Sequence, residues 1–128
     1  MATSYWAAER DRATIERSIL HSWPYAVYGP TGQAVGFARA TSDLASFCWI
    51  GDVVVDENSR GIGIGSWLVA ALVEHQLALG VPRFLLSTRD AHEVYARIGF
   101  TPLQVPAIWM EMDRRPNRPR PGQSIGRT

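Results

Sequence analysis

Apolar and polar positions follow short, strand-like runs through the first half of the chain and change to helical spacing after residue 60. Residues 9–21 (ERDRATIERSILH) set Ile15 and Ile19 four apart with charges between them, which predicts a helix. Ser22-Trp23-Pro24 ends it, because a residue before proline avoids the helical region. Residues 25–28 read as a short strand, Gly29-Pro30-Thr31-Gly32 as a turn, and residues 34–40 as the partner strand of an antiparallel hairpin. After a second turn at Thr41-Ser42-Asp43, residues 47–55 (FCWIGDVVV) are β-branched and aromatic. They predict a central strand in which Gly51 marks a bulge or bend.

A long helix is predicted from Gly63 or Gly65 to about Ala78, with Ile64, Leu68, Ala71, Leu72 and His75 as its apolar stripe. Gly80 caps it and Pro82 blocks its continuation. Residues 83–88 (RFLLST) read as a buried strand. Asp90 is placed as the N-cap of a short helix through Arg97, which Gly99 ends. Residues 100–103 and 108–112 are expected as two last, paired strands. The order α-β-β-β-α-β-α-β-β mixes a hairpin start with one crossover, so the expected class is α/β (α+β) with a mixed, mostly antiparallel sheet flanked by helices.

The 128 residues fit one domain, set here at 1–113, and can bury a real core. Residues 114–128 hold Pro116, Pro119, Pro121 and Gly122 with little apolar content, and are expected to be a disordered tail. All 13 basic residues are arginine. Residues 1–113 carry 8 arginines against 12 acids, a formal charge of −4, and the tail adds 5 arginines to give +1 overall. That tail is read as a solubilising end rather than a nucleic-acid contact. No apolar run approaches a membrane span or a secretory leader, and the single cysteine, Cys48, cannot close an internal disulfide. A cytoplasmic location follows as an expectation. No metal-ligand spacing links the three histidines and Cys48.

The unit with the most chemistry is strand, then Arg60-Gly61-Ile62-Gly63-Ile64-Gly65, then helix. A helix start presents unpaired N–H groups and partial positive charge, and glycines let an anion approach the backbone. Three phosphate-binding patterns can be tested. A P-loop needs a lysine, and the chain has none. The dinucleotide fingerprint needs G-x-G-x-x-G at the first unit of a parallel sheet, whereas this loop is G-x-G-x-G and lies mid-chain after a hairpin. The pattern R/Q-x-x-G-x-G/A is met by Arg60, Gly63 and Gly65. A plain glycine turn into a core helix is the alternative.

Val53-x-Val55, a short turn, Arg60-Gly61-x-Gly63-Ile64-Gly65 and a long helix resemble the GNAT superfamily of N-acetyltransferases. Ala91-x-x-Val94-Tyr95-x-x-x-Gly99-Phe100 is similar to that family's A-x-x-L-Y-x-x-x-G-F segment. The two segments stand in the right order and cover about residues 47–103. Thr88-Arg89-Asp90-Ala91-His92 and Ser4-Tyr5-Trp6-Ala7 resemble a bacterial branch of small members without defined function. The family begins with a strand ahead of its first helix. This chain starts at about that helix, so the first strand is expected to be absent, and the open sheet edge would favour a homodimer. Glu57 stands where proline is common, and Thr88 where many members carry a cofactor-contacting asparagine.

The resemblance implies acetyl transfer from acetyl-CoA to an amine, without a metal. It implies that backbone groups of Val53, Val54 and Val55 bind the pantetheine arm as an added strand does. Arg60 and the N–H groups of Gly61, Ile62, Gly63, Ile64 and Gly65 would hold the pyrophosphate, with Ser66 adding a hydroxyl and Thr88 a further contact. Tyr95 becomes the candidate general acid toward the cofactor sulfur; its alternative is core packing. Asp52, just before the cofactor segment, is a candidate general base through water, against a purely structural aspartate. His92 lies one helical turn from Tyr95 and could tune it. Cys48 is read as a buried small hydrophobe and Trp67 as core, while other tryptophans could line an apolar acceptor pocket. A catalytically inactive acyl-CoA-binding or sensor module of the same fold is the alternative function.

Overall fold

The alternation of residues 34–55 builds the centre of the protein, described here from a computed structural model over residues 11–116. Residues 4–7 and most of the expected tail, from residue 117 onward, lie outside the described residues. The element order is α1 (Arg12–Leu20), β1 (Trp23–Tyr28), β2 (Ala34–Ser42), β3 (Cys48–Val55), a 3₁₀ turn (Glu57–Ser59), α2 (Ile64–Leu79), β4 (Phe84–Leu85), α3 (His92–Ile98) and a second 3₁₀ turn (Pro106–Ile108). The sheet runs β1-β2-β3-β4, antiparallel except for the parallel β3–β4 pair. The expected mixed α/β class is therefore the observed one.

Side chains alternate across β2 and β3 as a half-buried sheet requires. Ala38, Ala40, Cys48 and Ile50 point to one face and meet Leu68, Val69 and Leu72 of α2, all buried. Gly36 permits a close approach: a Cβ there would lie 3.0 Å from Ile64 Cγ2 at the start of α2. Tyr95 and Ile98 of α3 pack on the same cluster, so α2 and α3 share one face of the sheet.

The stripe of α2 is rotated slightly from the expected one. Gln76, not His75, is fully buried, at 0% exposure, and it is satisfied. Its amide donates to Tyr25 Oη (3.0 Å) and accepts from Ser42 Oγ (2.7 Å), while Tyr25 Oη meets His75 Nδ1 at 2.5 Å. A buried amide with both ends bonded avoids the cost of an orphaned polar group. Burial raises the Tyr25 phenol above its usual range, the Gln76 bond opposing it. Trp67, expected in the core, is 62% exposed, because the buried stripe runs through Leu68, Val69 and Leu72 instead.

Several boundaries differ for physical reasons. The helix at 9–21 is observed from Arg12, with Asp11 as N-cap accepting from Thr14 N at 2.7 Å. The strand expected at 83–88 pairs only at Phe84 and Leu85, opposite Cys48 and Trp49. Asp90 does not cap α3; the cap position is Ala91, and its N–H donates to Thr88 Oγ1. The two last strands, 100–103 and 108–112, do not form. Pro102 and Pro106 remove ladder donors, and Pro106 opens a 3₁₀ turn between the two segments.

Candidate functional site

The bulge expected at Gly51 occurs one residue later. Phe37 pairs with Val54 and Arg39 with Gly51, so β3 carries one extra residue opposite Ala38. Asp52 takes it up with φ +54, a left-handed conformation that is uncommon outside glycine, asparagine and aspartate. Its carboxylate meets Arg39 Nε at 2.8 Å, the two side chains being 14% and 17% exposed. The bulge has a consequence for the neighbouring strand. The β3–β4 ladder ends at Trp49–Leu85, so among the described residues Val54 and Val55 pair only with β2, Val53 lies in the bulge, and no strand pairs with their other edge. A strand edge of that kind accepts an extended ligand through backbone hydrogen bonds.

Beyond this edge the chain turns at Glu57–Ser59 and enters the glycine loop. Asp56 makes that turn by accepting from Asn58 N. Gly61 and Gly63 hold φ of +85 and +84, and no atom lies within 4 Å of where their Cβ atoms would be. Both glycines are thus required by conformation and leave the approach to the helix unobstructed. Gly63 is the N-cap of α2 and makes no side-chain cap bond; the first helical bond runs from Trp67 N to Gly63 O. The N–H groups of Ile64, Gly65 and Ser66 therefore lie in the uncapped first turn of a 16-residue helix. A Cβ on Gly65 would lie 3.3 Å from Val55 Cγ2, so the start of the helix packs close to the strand edge. Arg60 folds back so that its Nε donates to Val55 O at 3.2 Å. The structure thus brings Val53–Val55, Arg60 and the 61–66 loop into one run at the end of β3. A pyrophosphate fits such a site: donors, a cation and no obstructing side chain.

Tyr95 and Thr88 lie on a second feature. A cavity of about 1200 Å3 opens between β4, α3 and residues 100–109, and both residues line it. The glycine loop is not among the residues that line this cavity. Tyr95 sits edge-on to Phe100, ring centres 6.1 Å apart. Burial raises its phenol above the usual range, and the nearby Asp90 carboxylate adds to the effect. The group stays protonated at neutral pH, as a proton donor must. The Thr88 hydroxyl is engaged in starting α3.

Val73 and Leu86 line the cavity without having been singled out in the sequence, whereas Trp109, one of the tryptophans expected to line a pocket, lies in its wall with its ring 5.0 Å from the Arg83 guanidinium. Arg39 was also missed, although a lone charge inside AVGFARA is the mark it left. Cys48 is buried, its thiol pushed up to about 11 by desolvation, which suits packing rather than nucleophilic attack. Among the described residues no group of His, Cys, Asp and Glu could hold a metal, and no helix is long and apolar enough to cross a membrane.

A mixed sheet that opens beside a bulge and delivers its central strand into an uncapped, glycine-lined helix start defines an α/β fold with a junction open to an anionic ligand. The acetyltransferase (GNAT) family profile matches residues 2–100, and the chain belongs to that family. A solved GNAT-family protein from Xanthomonas campestris pv. campestris is 38% identical, with a TM-score of 0.79 over 89% of this chain and 80% of its own. The Mycobacterium tuberculosis protein Rv2747, solved in complex with CoA, is 26% identical, with a TM-score of 0.60 over 72% of this chain and 55% of its own. A Deinococcus radiodurans protein at 24% identity shares the fold, with a TM-score of 0.68 over 88% of this chain and 76% of its own. No curated protein matches the chain. Acetyl transfer is the class of activity that this membership supports.

Proposed function

We propose that the protein is an N-acetyltransferase that moves an acetyl group from acetyl-CoA to a primary amine, on a small molecule or a protein, by direct transfer in a ternary complex. The observation that carries this reading is the run from the open edge of Val53–Val55 into the uncapped, left-handed glycine loop. Backbone groups of Val53, Val54 and Val55 hold the pantetheine arm. Arg60 and the N–H groups between Gly61 and Ser66 take the pyrophosphate charge, which a helix start favours. Acetyl-CoA supplies the activated thioester. The amine nitrogen bonds to the acetyl carbon, the C–S bond breaks, and the nitrogen gives up one proton. Asp52 takes that proton through water, and the buried, protonated Tyr95 returns one to the departing sulfur. A cytoplasmic setting belongs to the same reading.

A catalytically inactive acyl-CoA-binding module draws on one observation, the Arg39–Asp52 pair, which occupies a carboxylate oxygen. The two readings part on turnover. Wild-type protein mixed with acetyl-CoA and a panel of primary amines should release free CoA thiol. Binding of acetyl-CoA with no thiol release across the panel would replace the enzyme reading with the binding one.

A further inference from the structure

β4 ends the sheet, and among the described residues no strand pairs with its outer edge. Beyond Leu85 the chain runs on without a ladder through Leu86, Ser87 and Thr88. Among the described residues their backbone groups enter no backbone hydrogen bond. Leu86 and Thr88 are nevertheless half-buried. Backbone polar groups withdrawn from water need partners, and a strand end that lacks them is where a further strand adds. The space beside this segment is the cavity of about 1200 Å3. Ordinary small-molecule sites measure roughly 300–1,000 Å3. Leu85, Leu86, Phe100, Leu103, Val105 and Trp109 make its wall largely apolar.

The wall carries opposite charges along its length. Arg83 lines it just before β4, its guanidinium 5.0 Å from the Trp109 ring centre and, among the described residues, in no ion pair. At the far end of the segment, Ala91 N–H donates to Thr88 Oγ1 and Tyr95 N–H donates to Ala91 O. Those two bonds tie the proposed acid to Thr88, and Glu93 lines the cavity from the same helix. Arg83 and Thr88 are five residues apart, about 16 Å at strand spacing.

We infer that the acceptor is the α-amine of a short apolar peptide of about four residues, added antiparallel to the outer edge of β4, with its amine at Tyr95 and Glu93 and its terminal carboxylate at Arg83. The inference rests on the N-acetyltransferase reading above. A single amino acid is too short to reach both charges, and a much longer chain carries its carboxylate past Arg83. Trp109 holds the guanidinium fork in place for a carboxylate. The amine nitrogen bonds to the acetyl carbon as the thioester C–S bond breaks. It gives one proton to Asp52 through water, and Tyr95 protonates the departing sulfur.

The test follows free CoA thiol released from acetyl-CoA with the peptide Ala-Leu-Ala-Leu, its C-terminal amide, its form N-methylated on the second and third residues, free leucine and 2-phenylethylamine. Wild type should favour the free acid over the amide by about fivefold in kcat/KM, the scale of one solvent-exposed ion pair. That gap should close in about 0.5 M salt. N-methylation should cost about tenfold or more through lost backbone hydrogen bonds, and free leucine should fall at least as far below the tetrapeptide. Arg83→Met should abolish the preference for acid over amide, while acetyl-CoA still raises the melting temperature of the folded variant. Equal kcat/KM for acid and amide in wild type, or for the peptide and its N-methylated form, overturns the inference and leaves N-acetyl transfer standing. Turnover of leucine or 2-phenylethylamine without turnover of any peptide does the same and gives the groove to another occupant, such as a second copy of this chain. Acetyl-CoA binding with no thiol release from any amine overturns both readings.

Discussion

The protein has two regions of different character. From β1 through α2 and on to Val81, the sheet and the long helix enclose Ala38, Cys48, Ile50, Val69 and Leu72 with almost no exposure. From Phe84 onward no described residue is fully buried, and Ile108, Met110 and Met112 lie largely in solvent. The first region contains the glycine loop, on a rigid strand–helix junction. The second contains Tyr95 and the large cavity. The two regions thus differ in burial: the glycine loop adjoins a densely buried core, and Tyr95 a sparsely buried one.

The contrast is open to experiment. Leu72→Ala should cost about 2–5 kcal/mol of stability, as buried leucines do, whereas Ile98→Ala should cost well under half as much. Chemical denaturation would read both, and equal losses would erase the distinction between the regions. Tyr95→Phe should reduce turnover on the order of 10²-fold while acetyl-CoA still raises the melting temperature. A variant with full turnover would remove Tyr95 from the chemistry. Gln76→Ala should cost about 1–3 kcal/mol by removing its buried hydrogen bonds to Tyr25 and Ser42 inside the first region.

The smallest effect concerns pH. Asp43 accepts from the N–H groups of Ala45, Ser46 and Phe47, and its bonds to Ser46 do most to hold its carboxyl far below the ordinary 3.8. Its folded pKa is depressed, so its contribution is fully present above the unfolded value and fades as pH falls toward strong acid. The stability difference between wild type and Asp43→Asn should be constant from pH 5 to 8 and shrink below about pH 4. A difference that grows on acidification would contradict that assignment.

The first region was legible in the sequence because its signals are local. Gly80 caps the long helix in the left-handed conformation its position suggested, and the β-branched run of β3 forms its strand. Long-range pairing was less readable. Nothing local announced that the bulge would fall on Asp52 rather than Gly51, or that Arg39 would find it across the ladder. The two strands expected after residue 99 failed for a related reason: their apolar content satisfied the pattern, but prolines at 102 and 106 broke the donors a ladder needs. The residues proposed for cofactor binding were therefore readable one by one, while the pairing of Asp52 with Arg39 emerged only from the fold.

The central claim is that the loop at residues 60–66 binds the CoA pyrophosphate. Calorimetric titration of wild type and Gly63→Val with CoA and with pantetheine, which lacks the pyrophosphate, tests it most directly. Gly63 has φ +84, so valine both strains the loop and covers the helix start. Wild type should bind CoA about 100-fold more tightly than pantetheine, as the loss of one or two charge-assisted hydrogen bonds implies, and Gly63→Val should lose this advantage. Equal affinity for the two ligands, or a Gly63→Val protein that folds and still prefers CoA, would contradict it.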